Sequence, residues 1–304
     1  MSGERIPPLV RATLVAKGLT PPYLWAFLKR LRNRREPPTT VEAPASAAPP
    51  EWEYVPEGWK RPVGGWDGTA IVEAYRAKWP SFLAATAGSG PLGVNHEVPA
   101  GAPVPRDDRD AQQNVLVFAY ALLSAVRGRD TVSMLDWGGG PGHYAVLARA
   151  LLPDGVELEY HSRDLAGLVA LGREVLPGDG FDDTDACLER RYDLVVASSS
   201  LQYAPAWQEA LVRLAGAAGQ YLLVTRVPVA LHAPSFVVLQ RAYRYGYDTE
   251  YLGWVVSRDE LVAVGEGTGL RLRREFVLPA WLSAVGAPED PVEHRGFLFV
   301  RSSG

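Results

Sequence analysis

A glycine-rich run, Asp136-Trp137-Gly138-Gly139-Gly140-Pro141-Gly142, is the segment best suited to bind a ligand. It follows Val132–Leu135, which has the pattern of a buried strand, and precedes a segment with the pattern of a helix. Glycines let the backbone approach a ligand without a Cβ clash, and the N–H groups at a helix start attract an anion. Asp136 adds a carboxylate for a cationic group. The run therefore predicts a site for a ligand that carries both charges.

The spacing of this run discriminates among ligands. A Walker loop ends in Gly-Lys-Ser/Thr, and the run contains no lysine. The dinucleotide fingerprint G-x-G-x-x-G/A fits Gly138 and Gly140 but has His143 at its third position. S-adenosylmethionine (SAM) carries a carboxylate and an ammonium on its methionine end, which suits the run. A nicotinamide-dependent oxidoreductase is one alternative, and a binding protein without catalysis is another.

The pattern Asp-x-Gly-x-Gly-x-Gly resembles the first motif of class I SAM-dependent methyltransferases. Four segments are also similar to a family of bacterial methyltransferases often encoded near polysaccharide-biosynthesis genes: residues 57–59, 135–140, 198–203 and 245–254. The resemblance covers roughly residues 51–300. It implies in-line displacement of a methyl group from SAM to an acceptor, and it leaves the acceptor open.

The resemblance also implies where the cofactor would lie. Asp164, just after the second strand, would accept hydrogen bonds from the ribose; Glu159 is a weaker candidate, and Asp164 could instead cap a helix. Asp185 and Ala186 would lie near the adenine, and Ser198 and Ser199 near the methyl donor. The predicted cofactor-binding residues are Asp136, Gly138, Gly139, Gly140, Gly142, Asp164, Asp185, Ala186, Ser198 and Ser199.

An aromatic insert at about residues 228–256 is the predicted acceptor region. Aromatic faces with polar neighbours suit a sugar ring or a flat metabolite, although a small auxiliary core has the same composition. The predicted acceptor-binding residues are Tyr203, Tyr243, Tyr245, Tyr247, Tyr251 and Trp254. We expect the acceptor to be a hydroxyl of a sugar or saccharide intermediate. The alternative is a small natural product methylated at O, N or C.

Transfer to a hydroxyl benefits from a general base. His232 follows the fifth strand, and His96 lies in a loop that could cover the site, so both are candidates. The sequence contains no His/Cys/Asp spacing typical of a metal site, and we predict none.

The elements around these residues alternate between strand and helix from residue 111 onward. Such alternation predicts an α/β Rossmann-like sheet, mostly parallel, with helices on both faces and an antiparallel last strand. The predicted strands are 132–136, 156–162, 192–198, 221–227, 270–277 and 296–301. The predicted helices are 71–83, 112–126, 141–151, 165–176, 207–215 and 258–266.

The chain divides into four predicted parts. Residues 1–36 form a basic helical leader, 37–50 a Pro/Ala-rich linker, 51–110 a Trp/Gly/Pro-rich lid or acceptor-side segment, and 111–304 the SAM-binding domain. Residues 20–35 could rest on an anionic membrane surface. The sequence leaves the oligomeric state open.

The composition bounds the compartment and the partners. A net charge of −4, with the basic excess confined to the first 50 residues, argues against nucleic acid as the main partner. One cysteine, Cys187, excludes an intrachain disulfide and fits a reducing cytoplasm. We expect a cytoplasmic enzyme that acts on a small-molecule or saccharide acceptor. The basic leader could place it at the inner face of the membrane.

Overall fold

The chain is described by a computed structural model that covers residues 49–66, 68–98, 102–245, 247, 249–288 and 290–301. The basic leader and nearly all of the predicted linker lie outside the described residues. Ten strands are described: β1 Trp52–Tyr54, β2 Thr131–Trp137, β3 Glu157–Arg163, β4 Gly180–Asp182, β5 Tyr192–Ser198, β6 Ala218–Ala230, β7 Phe236–Arg241, β8 Glu250–Ser257, β9 Leu270–Trp281 and β10 Val292–Arg301. Six α-helices are described: α1 Thr69–Thr86, α2 Arg109–Val126, α3 His143–Leu151, α4 Ala166–Val175, α5 Trp207–Ala217 and α6 Arg258–Gly267.

The main sheet has the strand order β4-β3-β2-β5-β6-β10-β9. Strands β4, β3, β2, β5 and β6 run parallel, and β10 lies antiparallel between β6 and β9. The predicted fold class is therefore confirmed, including the antiparallel last strand. In an open sheet of this kind, ligands bind at the carboxyl ends of the parallel strands, where the order reverses beside β2.

Apolar cores cover both faces of the sheet. On one face α1, α2 and α3 pack against side chains such as Met134, Leu194 and Leu223. On the other face α5 and α6 pack against Leu135 and Val195. Neighbouring residues of one strand thus contribute to opposite cores, which is why β2 and β5 are apolar throughout.

Three further strands, which extend the sheet beyond the end of β6, were not predicted. β7 and β8 form an antiparallel hairpin inside the aromatic insert, β1 pairs with β7, and the end of β6 pairs in parallel with β8. These strands are buried on both sides, so they show no polar–apolar alternation to reveal them. The three-residue β4 was also missed.

Two predicted boundaries at the ligand edge need correction. The helix predicted from Pro141 begins at His143, because Gly142 takes a left-handed conformation with φ 101°. The strand predicted to end at Val227 continues to Ala230. Among the described residues, no helix is both long and apolar enough to cross a bilayer.

Candidate active site

The glycine run forms a tight loop between β2 and α3. Gly138, Gly140 and Gly142 have φ angles of 76°, 58° and 101°, a region that favours glycine. A Cβ on Gly138 would lie 2.4 Å from the Ser200 Cβ, so this glycine lets the end of β5 pack against the loop. A Cβ on Gly140 would meet no atom closer than 3.9 Å. Gly140 is buried, so a Cβ there would fit beside His143 and Tyr75 without a clash, and a ligand contact at this glycine stays a prediction.

Asp136 lies beneath the loop. Its side chain is buried, the Tyr160 hydroxyl donates to its Oδ2 at 2.8 Å, and a Cβ on Gly139 would lie 2.4 Å from that oxygen. Burial raises the pKa of Asp136 to about 7, although the hydrogen bond from Tyr160 lowers it. The described contacts of Asp136 thus support the loop, and its contact with a cationic ligand group stays a prediction.

Asp164 joins the end of β3 to the loop. Its Oδ2 accepts the Gly140 N–H at 2.7 Å, and its Oδ1 accepts the Leu165 N–H at 2.7 Å. Helix α4 begins at Ala166 without a side-chain cap, so the capping interpretation is wrong. A carboxylate has about four acceptor positions, so each oxygen keeps one for a further donor. Two adjacent ribose hydroxyls are such donors.

The three serines after β5 contact different parts of the loop region. Ser198 Oγ lies 2.8 Å from the Tyr144 hydroxyl, Ser199 adopts a left-handed φ of 53°, and Ser200 Oγ donates to the Trp137 carbonyl at 2.7 Å. The carboxyl ends of β2 and β5 are therefore fastened together at the glycine loop.

Asp185 and Ala186 lie in a short 3₁₀ helix between β4 and β5. The Asp185 carboxylate forms ion pairs with Arg163, at 2.7 Å, and with Arg213, at 2.5 Å, and Ala186 is exposed. The described contacts link Asp185 to β3 and α5 rather than to the glycine loop. The adenine contact predicted for these two residues stays a prediction.

The structure brings four of the six predicted acceptor residues together. Trp66 stacks on Tyr251 with ring centroids 4.2 Å apart and contacts Tyr203 at 5.0 Å. Tyr247 and Tyr245 join this group, which we call the aromatic cluster: Trp66, Tyr75, Tyr203, Tyr245, Tyr247 and Tyr251. Tyr247 and Tyr251 are only 4% and 3% exposed, so these two rings form the packed base of the cluster.

The other two predicted acceptor residues lie apart from the cluster. Trp254 stacks on Trp59 at 5.7 Å and donates to the Pro205 carbonyl at 3.2 Å. Tyr243 is exposed, and its hydroxyl donates to Glu250 at 2.9 Å. Alternate residues of β8 face opposite sides, which separates Trp254 from Tyr251.

Tyr75 connects the aromatic cluster to the glycine loop. Its ring lies 5.8 Å from Tyr247 and 5.4 Å from His143, and its Cε1 would be 4.0 Å from a Cβ on Gly140. Helix α1 therefore covers the loop on the same side as the aromatic cluster. Helix α1 belongs to the segment 51–110 that was predicted as a lid or acceptor-side segment, but no individual residue of α1 was named as a site residue.

His96 lies at the site, stacked on His143 with centroids 4.1 Å apart. Burial lowers the pKa of His96 to about 4, although the charge of Glu97 raises it. His96 is therefore uncharged at neutral pH but weakly basic. Its loop is held in place by the Asn95 side chain, which donates to Asp108 at 2.9 Å, and by Lys78, which donates to the Val98 carbonyl at 2.8 Å.

His232 is not brought to the glycine loop. It lies in an exposed turn after β6, and its backbone N–H donates to Asp290 at 2.9 Å. β5 ends opposite Thr225, and His232 follows seven residues later, on the order of 20 Å farther along an extended chain. The placement of His232 at the ligand end of the strand is wrong, because β6 continues past that level.

Sequence reasoning missed a partly exposed ion pair between Glu97 and Arg226. The Arg226 guanidinium donates to the Glu97 carboxylate, and this contact joins the loop after α1 to β6. Burial tends to raise the pKa of Glu97, but the charges of Arg226 and His96 lower it to about 2. The apolar run of β6 is interrupted by Thr225 and Arg226, and this interruption was the sequence signal that could have revealed Arg226.

The chain matches no protein-family profile and no curated protein sequence. Among solved structures it is similar to the magnesium protoporphyrin IX methyltransferase of Synechocystis PCC 6803 with bound SAM, at 16% identity and a TM-score of 0.44, over 77% of this chain and 96% of that one. It is similar to the 1,6-didemethyltoxoflavin-N1-methyltransferase of Burkholderia thailandensis, at 16% identity and a TM-score of 0.42, over 83% of this chain and 100% of that one. It is similar to a sugar N-methyltransferase of Streptoalloteichus sp. ATCC 53650, at 15% identity and a TM-score of 0.38, over 63% of this chain and 87% of that one. Likenesses this distant carry no argument about the reaction.

Proposed function

We propose that the protein is a SAM-dependent methyltransferase that acts on a small-molecule acceptor. One observation carries the proposal: the half-buried Asp164 carboxylate, with acceptor positions to spare, accepts the Gly140 N–H of the glycine loop. This edge of the sheet thus offers carboxylate oxygens that can accept from hydroxyl groups, and next to them the N–H groups of a helix start. The start of α3 has no side-chain cap, so its first N–H groups suit a carboxylate.

SAM, when bound, supplies an electrophilic methyl group on a sulfonium. The protein would hold the carboxylate of the cofactor at the α3 start and its ribose at Asp164. Tyr75 and His143 flank Gly140 and would exclude water from this edge. Positioning and water exclusion are the main contributions that such a displacement needs from the protein.

For the acceptor we propose a hydroxyl of a sugar or saccharide intermediate, or of another small metabolite. The half-buried rings of Tyr75 and His96 lie 6.4 Å apart beside the loop, and half-buried Tyr203 belongs to the adjoining aromatic cluster. Their mixed apolar and polar faces suit a ring that carries hydroxyl groups. The resemblance to proteins encoded near polysaccharide genes and the cytoplasmic location remain predictions, as does membrane contact through residues 20–35.

The test is methyl transfer from isotope-labelled SAM to a panel of nucleotide sugars, free saccharides and small aromatic alcohols and amines. Label found in a product by mass spectrometry, and absent with the Asp164→Asn variant, would support the proposal. A protein that binds neither SAM nor S-adenosylhomocysteine would contradict it and favour a binding protein on this fold.

A further inference from the structure

Arg226 lies at a bulge in β6. Two residues of β6, Thr225 and Arg226, oppose the single residue Gly296 of β10, and the φ of Arg226 is 56°. A left-handed conformation is uncommon for arginine and marks a position that the surrounding structure enforces. Bulges of this kind re-aim a side chain, often next to an active site.

The bulge changes the direction of Arg226. Leu222 and Val224 face the core beneath α5, and after the bulge Val227 and Val229 face the same core. In a regular strand Arg226 would follow the alternation of Leu222 and Val224 and enter that apolar core. The extra residue instead leaves Arg226 on the face of the sheet where Tyr144 and the His96 loop lie.

Glu97, which pairs with Arg226, directly follows His96, whose ring lies 4.1 Å from that of His143 and 6.4 Å from that of Tyr75. Burial is the main cause that raises the pKa values of Tyr75, Tyr203 and Tyr247, and the negative charge of Glu97 raises each of them further. The charge of Asp164 also raises the pKa of Tyr75. Glu97 is therefore near both the aromatic cluster and the side chain that adjoins the cofactor edge.

The pair is reachable and has unused hydrogen-bonding capacity. The Glu97 side chain is 38% exposed and that of Arg226 is 18% exposed. A guanidinium carries five N–H donors, and the described hydrogen bond to Glu97 uses one of them. A small molecule at this position can thus find an acceptor and a donor side by side.

Charge decides which chemistry fits the pair. A carboxylate beside Arg226 would repel Glu97, and an ammonium beside Glu97 would face Arg226 and the nearby Lys78. Lys78 donates to two backbone carbonyls, Val98 at 2.8 Å and Tyr245 at 3.0 Å, and adds a positive charge without its own carboxylate partner in the described contacts. An uncharged group that both donates and accepts brings no charge that either member of the pair would repel.

We propose that Glu97 and Arg226 bind the reacting end of the acceptor, and that this end is an uncharged hydroxyl or unprotonated amine. It donates to the Glu97 carboxylate and accepts from the Arg226 guanidinium, which orients its lone pair. This inference rests on the proposed function. A partly exposed ion pair contributes little to stability, which fits a role in recognition.

The experiment uses three matched probes: benzyl alcohol, benzoate and benzylammonium. Their binding to the full chain loaded with S-adenosylhomocysteine is measured by ligand-observed NMR, and repeated without it. The wild-type protein is expected to bind benzyl alcohol at least about 10-fold more tightly than either ion, the factor that corresponds to ~1.4 kcal/mol. Benzoate or benzylammonium binding within about twofold of benzyl alcohol would overturn the proposal without any variant.

Two variants and a control sharpen the result. Glu97→Gln leaves Arg226 without its partner and should raise benzoate affinity about 10-fold, whereas Arg226→Gln should do the same for benzylammonium. Asp259→Asn removes one carboxylate from a surface pair with Arg258 and should change neither. Unchanged charge preference in folded Glu97→Gln and Arg226→Gln would overturn the proposal.

Titration with S-adenosylhomocysteine alone separates a failure of this inference from a failure of the proposed function. If S-adenosylhomocysteine binds but the probes show no preference for the uncharged one, this inference fails and the proposed function stands. If S-adenosylhomocysteine does not bind at all, the proposed function fails and the inference fails with it.

Discussion

The Asp164 carboxylate accepts a 2.7 Å hydrogen bond from the Gly140 N–H, which fastens the end of β3 to the glycine loop. The same carboxylate accepts the Leu165 N–H, so it is fixed at both oxygens. Because the pKa of Asp164 is raised by burial, its hydrogen bonds are made in a poorly solvated place, where they are strong. The loop and the predicted ribose site are thus one rigid unit.

Replacing Asp164 with asparagine should weaken nucleoside binding. An amide keeps one acceptor oxygen, so at least one of the two backbone hydrogen bonds and one ribose contact are lost. We expect the affinity for S-adenosylhomocysteine, measured by calorimetry, to fall about 10- to 100-fold. Asp183→Asn, at an exposed acid near the end of β4, is the control and should keep wild-type affinity. Equal affinities of the two variants would contradict the ribose role.

The pH dependence of stability should contain two opposing contributions. Burial lowers the pKa of His96 to about 4, so as pH falls from about 6.5 the unfolded chain gains a proton that the folded chain refuses, and stability is lost. Burial raises the pKa of Asp136 to about 7, so the folded chain keeps a proton that the unfolded chain loses above about pH 4, and stability is lost as pH rises. The two slopes partly cancel in the wild type.

Single variants should reveal each contribution. Relative to the wild type, Asp136→Asn should lose stability more steeply on acidification, and His96→Phe less steeply, each by up to about 1.4 kcal/mol per pH unit. The measurement is the free energy of urea unfolding at about pH 4.5, 5.5 and 6.5. If both variants keep the wild-type slope, the two buried groups do not titrate as the structure implies.

Lys78 should control the order of the loop that carries His96 and Glu97. Its ammonium donates to the Val98 and Tyr245 carbonyls, and Lys78→Met removes both hydrogen bonds. We expect amide exchange in residues 94–98 to accelerate about 10-fold, because local opening becomes easier. Exposed Lys60→Met is the control. Wild-type exchange in Lys78→Met would show that the lysine does not hold this loop.

The sequence predicted the central sheet well because its signals are local. β2, the glycine loop and α3 form an apolar run, a set of glycines and a helical period in immediate succession, and β5 was placed with both ends correct. The α2 start was set three residues too late, because Asp108 caps the helix and extends it to Arg109. A cap adds residues that the apolar period does not reveal.

The site residues were harder to predict because their positions depend on where a strand ends and on which face of the sheet each residue lies. β6 was expected to stop at Val227, which put His232 at the site; its continuation to Ala230 carried His232 away. The bulge at Thr225–Arg226 brought in a side chain that a regular strand would exclude. Contacts such as Glu97–Arg226 join residues 129 positions apart, and no local pattern encodes them.

The most direct test of the cofactor claim compares two glycines by titrating S-adenosylhomocysteine into the wild type, Gly140→Ala and Gly155→Ala. Both glycines have a positive φ, 58° and 82°, and in neither would a Cβ clash, so the two substitutions share a backbone penalty of about 1–2 kcal/mol. Only Gly140 lies in the glycine loop, hydrogen-bonded to Asp164. We predict micromolar-range binding by the wild type and Gly155→Ala, and at least about 10-fold weaker binding by Gly140→Ala. Equal binding by the two variants, or none by the wild type, would contradict a SAM site at this loop.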